Sequence, residues 1–267
     1  MMEKNRVKSA RIQSNHKVNS AFDNSIFIET RSYKKVCKLF NELKYNKGLI
    51  VHVTGAPGTG KSANIYSAII DLDLYLYEPK FILSNQNTSS RTVFNKFIHD
   101  LKIDLGVRSH QELLEKLSEF DLVLFADKFH DPHLKDEKLI GFSRWTDYKG
   151  LGTFYFYLLC IKEYLSHRRE YHNINLVFQT AWRIYWRGEK YDLFTDLGII
   201  SLFLRKILNI FFEVVNIQYD EEEIIKIVKA HDPTLDETEI AYYIKKYGFK
   251  PRFILSRTRK DFHQKKD

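Results

Sequence analysis

Residues 55–62 read Gly-Ala-Pro-Gly-Thr-Gly-Lys-Ser, the spacing GxxxxGK[ST]. Glycines at these positions let successive backbone N–H groups converge on phosphate oxygens, a lysine reaches the outer phosphates, and a hydroxyl holds Mg²⁺. Gly55, Gly60, Lys61 and Ser62 take those roles, Gly58 and Thr59 shape the turn, and Ala56, Pro57 and Ala63 complete the candidate phosphate-binding set. Such chemistry also needs a carboxylate at the end of a neighbouring strand to orient the metal through water. Asp127, which ends the apolar run Asp121-Leu-Val-Leu-Phe-Ala-Asp127, is that candidate, so the metal set is Ser62 and Asp127.

The loop requires a strand before it and a helix after it. Leu49-Ile-Val-His-Val53 reads as a buried strand because β-branched residues run together before a glycine, and a helix is expected from Ser62 to about Asp71. Ahead of them, Ser25 to Lys47 contains an amphipathic helix with Tyr33, Val36, Cys37, Phe40 and Leu43 on one face. A strand is expected at Lys80–Ser84, helices from Ser89 or Ser90, over Gln111–Phe120 and over Leu151–Arg169, and a further strand at Asn173–Thr180. Strands that alternate with helices predict a parallel sheet wrapped by helices.

The 267 residues, 44% apolar and 15% aromatic, suffice to bury a substantial core. Cys37 and Cys160 stand far apart without CxxC spacing, so neither a disulfide framework nor a zinc site is indicated and a reducing cytoplasm is the expectation. Residues 1–20 contain no apolar signal region, and the richest apolar stretch, Leu197 to Ile217, is interrupted by Arg205, Lys206, Asn209 and Glu213, which argues against a membrane partner. The net charge of +8 is concentrated at the two ends: Lys4, Arg6, Lys8, Arg11 and Lys17 near the start, and Lys250, Arg252, Arg257, Arg259, Lys260, Lys265 and Lys266 near the finish. Basic ends can neutralise nucleic-acid phosphates, or simply solubilise the termini, and charge alone leaves both readings open. The abundance of Lys, Glu, Ile and Tyr with few glutamines matches a thermophilic composition.

Taken in order, these parts resemble the AAA+ ATPases, most closely the initiator group that includes archaeal and eukaryotic origin-recognition ATPases. Thr30-Arg31-Ser-Tyr-Lys-Lys-Val36 is similar to that group's arginine-led helix, and FILSNQNTSSRTVFNKFIHDL to its second strand, asparagine-rich turn and helix. NLVFQT, residues 175–180, sits where the family places its sensor 1 strand, with Gln179 and Thr180 as the polar candidates. FFEVVNIQYDEEEIIKIVKAH resembles the opening of the small helical lid, and GFKPRFIL, residues 248–255, its sensor 2 motif. The resemblance implies ATP and Mg²⁺ as cofactors, Asp127, Thr180 and Arg252 as catalytic residues, a homo-oligomer, and DNA or another nucleic acid as partner. It implies a P-loop three-layer α/β/α fold with a mostly parallel sheet followed by a helical lid. The expected organisation is a basic arm over 1–24, a core over 25–217, a lid over 218–260 and a basic tail over 261–267. Arg205 is in the approximate position of the arginine that serves a neighbouring subunit.

Two departures matter. The family follows its strand-end aspartate with a glutamate that polarises water, whereas Asp127 is followed by Lys128, which cannot take a proton while charged. Lys128 is expected either to face solvent or to hold phosphate, Asp131 is a substitute base, and hydrolysis is expected to be slow or absent. The chain also ends about a dozen residues after Arg252, where the group continues into a winged-helix domain, so direct sequence-specific origin binding is not expected. The rival readings are a small-molecule phosphotransferase and a structural DNA-associated protein with a vestigial loop.

Other groupings carry less. His130 and His133 with Asp127, Asp131 and Asp136 lack paired ligand spacing and straddle Pro132, so a solvated loop is expected in place of a metal site. The aromatics from Trp145 to Tyr164, followed by His167-Arg168-Arg169, suit either core packing or base stacking, as do Trp182, Arg183, Trp186 and Arg187.

Overall fold

The computed structural model describes residues 26–85, 87–130, 139–149, 151–180, 183–186, 189–192, 194 and 197–256. Its first helix, α1 (Arg31–Glu42), buries Tyr33, Val36, Leu39 and Phe40 at helical spacing. Strand β1 (Ile50–Thr54) feeds the glycine loop and then α2 (Lys61–Asp71). There follow β2 (Leu76–Tyr77), α3 (Ser90–Leu105), α4 (His110–Ser118) and β3 (Leu122–Phe125). After the short α5 (Asp127–His130) come α6 (Phe142–Lys149), α7 (Leu151–Ser166), α8 (Arg168–Tyr171) and β4 (Leu176–Gln179). A two-stranded antiparallel ribbon, β5 (Arg183–Trp186) and β6 (Glu189–Asp192), precedes α9 (Ile199–Phe211), β7 (Glu213–Asn216), α10 (Glu221–His231) and α11 (Glu237–Tyr247).

The main sheet runs β2-β3-β4-β1-β7, and its registered pairs β1 with β7, β2 with β3, and β3 with β4 are parallel. Parallel strands demand crossovers, which the intervening helices supply. This is the P-loop α/β/α fold with a helical lid after β7. One expected strand is displaced. Lys80–Ser84 is extended but forms only an antiparallel bridge between Leu83 and Ile140, whereas the sheet takes Leu76–Tyr77. Phe81 and Leu83 alternate inward all the same, because they pack into the aromatic core with Phe97, Phe129 and Phe142. The long helix expected to reach Arg169 closes at Ser166, and His167 caps a separate turn.

The chain divides into two compact units. The first comprises described residues of Met1–Glu42, Val51–Asp73 and Thr180–Asp267. Within it the lid has its own core of Ile224, Val228, Ile240, Ile244 and Ile254, each buried aliphatic chain contributing roughly 1.5–3 kcal/mol. Asp220 caps α10 through a reciprocal pair with Glu223, and Asp236 caps α11.

The second unit, Leu43–Ile50 and Leu74–Gln179, is built around an aromatic cluster that includes Phe81, Phe97, Phe129, Phe142, Trp145 and Phe156. Ser109 caps α4 through a full capping box with Glu112, and Gly106 ends α3 at φ 69°. The buried Asn175 stitches the strand starts together: its amide donates to the carbonyls of Leu43, Asn46 and Asp121 at 2.9–3.0 Å, and its oxygen accepts from the Leu49 N–H at 3.0 Å.

Candidate functional site

The glycine loop belongs to the first unit. Gly55, Gly58 and Gly60 have φ of 151°, 85° and 78°, values that L side chains rarely adopt. At Gly55 a Cβ would also meet the Ile217 carbonyl oxygen and Thr59 Oγ1, both at 2.9 Å. Thr59 closes the turn by donating from its N–H and its hydroxyl to the Ala56 carbonyl, at 3.2 and 2.8 Å. Gly60 is the N-cap of α2 and supplies no side-chain cap, so the first N–H groups of that helix sum to a partial positive charge at the loop. Lys61 is buried, its Nζ donating to the loop carbonyls of Gly55 and Ala56 at 2.6 and 3.3 Å. The ammonium thus rests on the carbonyls of the loop itself.

Lid residues touch this loop directly. The Arg252 N–H donates to the Gly58 carbonyl at 3.2 Å, and the Phe253 ring covers Gly58 so closely that a Cβ there would lie 3.1 Å from it. The Arg252 side chain itself is exposed. Tyr219, just before α10, accepts at its hydroxyl oxygen from Asn64 Nδ2 at 2.9 Å, and the same amide donates to the Gly60 carbonyl at 2.9 Å. Burial pushes the Tyr219 phenol up to about 12, so it stays protonated.

Beside the loop lies a cavity of about 690 Å³ bordered by Ala56, Thr59, Ile217, Tyr219, Phe249 and Lys250, with the cations Arg31, Lys34, Lys35 and Arg205 and the carboxylates Asp220 and Glu223 also in its lining. One wall is fixed from α1. Arg31 pairs with Asp220 and with Glu223 at 3.4 Å, and its backbone N–H donates to Glu223 at 2.7 Å. Ser32 Oγ donates to the Gln218 carbonyl at 2.6 Å. A pocket of this size, lined by apolar side chains and by charges of both signs, has room for a nucleoside. Arg205, expected to serve a neighbour, lines this cavity of its own chain.

Thr180 is buried, with its N–H donating to the Val53 carbonyl at 3.0 Å and its hydroxyl 2.8 Å from His52 Nδ1. Burial holds the His52 imidazole down to about 4, so it is neutral at pH 7.

The second unit carries the acidic strand end. Asp127 opens α5 immediately after β3, and its Oδ1 accepts from Gln179 Nε2 at 3.1 Å. The Lys128 Nζ lies 2.9 Å from Glu78 Oε2. The Glu78 side chain is 3% exposed and that of Lys128 32%, so the pair is largely withdrawn from water. Glu78 stands one residue past β2, a position that no motif spacing links to Lys128, and sequence reasoning missed it. Trp145 and Phe156 are core residues, the Trp145 indole N–H donating to the Thr88 carbonyl at 3.1 Å, while Phe154 and Tyr155 are exposed. Asp131, His133, Asp136, Trp182 and Arg187 lie outside the described residues, as do the arm before 26 and the tail after 256.

Among the described residues no helix is long and apolar enough to cross a membrane. No protein-family model and no curated protein matches the chain. Among solved structures, the DnaC helicase loader is similar at 11% identity, over 73% of this chain and 95% of that one, with a TM-score of 0.33. The replication initiator DnaA bound to AMPPCP and single-stranded DNA is similar at 16% identity, over 88% of this chain and 67% of that one, with a TM-score of 0.35.

Proposed function

We propose that the chain is an ATP-binding switch of the AAA+ type that hydrolyses slowly and acts in a DNA-associated assembly. The observation that carries this reading is the contact of lid on cradle: Arg252 and Phe253 rest on Gly58, within a loop whose glycines and uncapped helix end suit phosphate. A ligand that bridges the two changes the equilibrium of the lid, and only a ligand with different affinity for the two lid positions can do so. The cavity beside Ala56 and Thr59 would take the nucleoside, Gly55 to Ala63 the phosphates, and Arg252 the outer phosphate once its side chain turns inward.

Ser62 and Asp127 are hard oxygen donors of the type Mg²⁺ prefers, and the ion when bound neutralises phosphate charge. Gln179 holds Asp127 by one carboxylate oxygen, and Thr180 is held by His52. Slow turnover follows from Lys128, an ammonium tied to Glu78 where a carboxylate would polarise water. The exposed Ile199, Phe203, Ile210 and Phe211 on α9 support assembly with a second copy, and exposed Phe154 and Tyr155 support stacking on single-stranded DNA.

Equilibrium binding and turnover of Mg²⁺–ATP, with and without single-stranded DNA, test the reading. Micromolar or tighter ATP binding, turnover well below 1 per second and tighter DNA association with ATP are expected. A phosphorylated small-molecule product, or DNA association indifferent to ATP and to Lys61→Ala, would replace it.

A further inference from the structure

Outside the phosphate site, the second unit brings together three metal-ligating side chains that no motif announced. His110 is the first residue of α4, Glu163 lies in the last turn of α7, and His167 is one helical turn further on at the cap of α8. Their candidate ligand atoms all lie within 4.8 Å of one another. His110 Nε2 is 2.5 Å from Glu163 Oε1, His167 Nε2 is 3.8 Å from the same oxygen, and the two imidazole rings are 4.5 Å apart.

His110 Nε2 and Glu163 Oε1 are both buried, and they attract as an ion pair only when the imidazole carries its proton; without that proton two electron-rich atoms face each other out of contact with water. Unpaired buried polar atoms cost about 1–3 kcal/mol each unless something electropositive is shared between them. The side chains of His110, Glu163 and His167 are 25%, 18% and 36% exposed, which shields the cluster yet leaves an entry path from the His167 side.

We propose that His110, Glu163 and His167 bind one divalent transition-metal ion, with Zn²⁺ the best match. Two imidazoles and one carboxylate are a borderline-soft set that suits Zn²⁺ and does not suit Mg²⁺ or Ca²⁺. Coordination at about 2.0–2.2 Å opens the His110–Glu163 separation to roughly 3.3 Å, a small side-chain adjustment, and leaves a fourth position for water. Cys160, one turn before Glu163, is not part of the set, whose ligand atoms come from His110, Glu163 and His167. The ion would tie the start of α4 to the end of α7, and its binding is independent of the nucleotide reading.

The test uses the full, untagged chain stripped of metal by a chelator that is then removed. Zn²⁺ titration by calorimetry is expected to give one saturable site per chain and to raise the thermal midpoint. Co²⁺ is expected to give the visible absorption of a four- or five-coordinate centre. His110→Ala and His167→Ala should each weaken Zn²⁺ binding by about 100-fold or more and abolish the Co²⁺ spectrum. Glu163→Gln, which keeps the shape of the side chain, should weaken binding at least tenfold with the fold intact by circular dichroism. Absence of saturable Zn²⁺ and Co²⁺ binding to the wild-type chain would overturn the proposal. So would binding that survives in folded Glu163→Gln and His167→Ala proteins, since that would place the ion on other histidines.

Discussion

The glycine loop of the first unit and the β3 end of the second are both parts of one expected chemistry, but they are built to different standards. Around the loop each polar choice agrees with phosphate binding: glycines at positive φ, a helix with no side-chain cap, and a lysine within reach of its own turn. At the β3 end Asp127 follows its strand, but the next residue is an ammonium held by a buried carboxylate. On the proposed reading, the contrast separates binding from hydrolysis: the cradle would depend on backbone geometry, and turnover on one side chain and its neighbour.

The largest expected effect breaks the first half of that contrast. Lys61→Ala removes a charge-assisted contact to the phosphates and should weaken Mg²⁺–ATP binding by about 100-fold, or roughly 2.7 kcal/mol, in calorimetry. A drop of less than threefold would mean that the loop is not the cradle.

Next in size is the second half. Glu78→Ala leaves the partly buried Lys128 unpaired and should cost about 2 kcal/mol in denaturant unfolding, with ATP affinity unchanged. Lys128→Glu alone sets two carboxylates against each other and should cost as much. The charge-swapped pair Glu78→Lys with Lys128→Glu should recover most of the stability and raise ATP turnover at least tenfold. Unchanged turnover in a stable swapped protein would show that the lysine is not what limits hydrolysis.

How far these two regions were legible in the sequence differs for the same reason. The loop announces itself because its chemistry lies in consecutive backbone groups, and the flanking strand and helix follow from local periodicity. That the segment holding Arg252 lies against the loop was legible only through the order of motifs that the resemblance supplied, and the contact is made by its backbone N–H. Glu78 was invisible because an ion pair between residues fifty positions apart leaves no spacing. The His110, Glu163 and His167 cluster was hidden likewise, its only local trace being a Glu and a His four apart on one helical run. Lys80–Ser84 misled for another reason: alternation reports burial of alternate side chains, and Phe81 and Leu83 are buried by aromatic rings, not by sheet pairing.

The smallest effect sharpens the description of the cradle's base strand. His52 is neutral in the folded chain, its imidazole lowered to about 4 against about 6.5 when unfolded. Below pH 6.5 the unfolded chain therefore binds a proton that the folded one refuses, and stability falls as the pH drops toward 4. Between pH 7 and 5.5 this should amount to roughly 1 kcal/mol, visible as the difference between wild type and His52→Gln in parallel unfolding curves.

Hydrogen exchange of backbone amides, read by mass spectrometry with and without saturating Mg²⁺–ATP, tests most directly whether nucleotide closes the lid on the loop. The account predicts slowed exchange over 219–231 and 250–254 together with the loop 55–62, and no such slowing in Lys61→Ala. Protection of the loop alone, with the lid exchanging at its nucleotide-free rate, would contradict it.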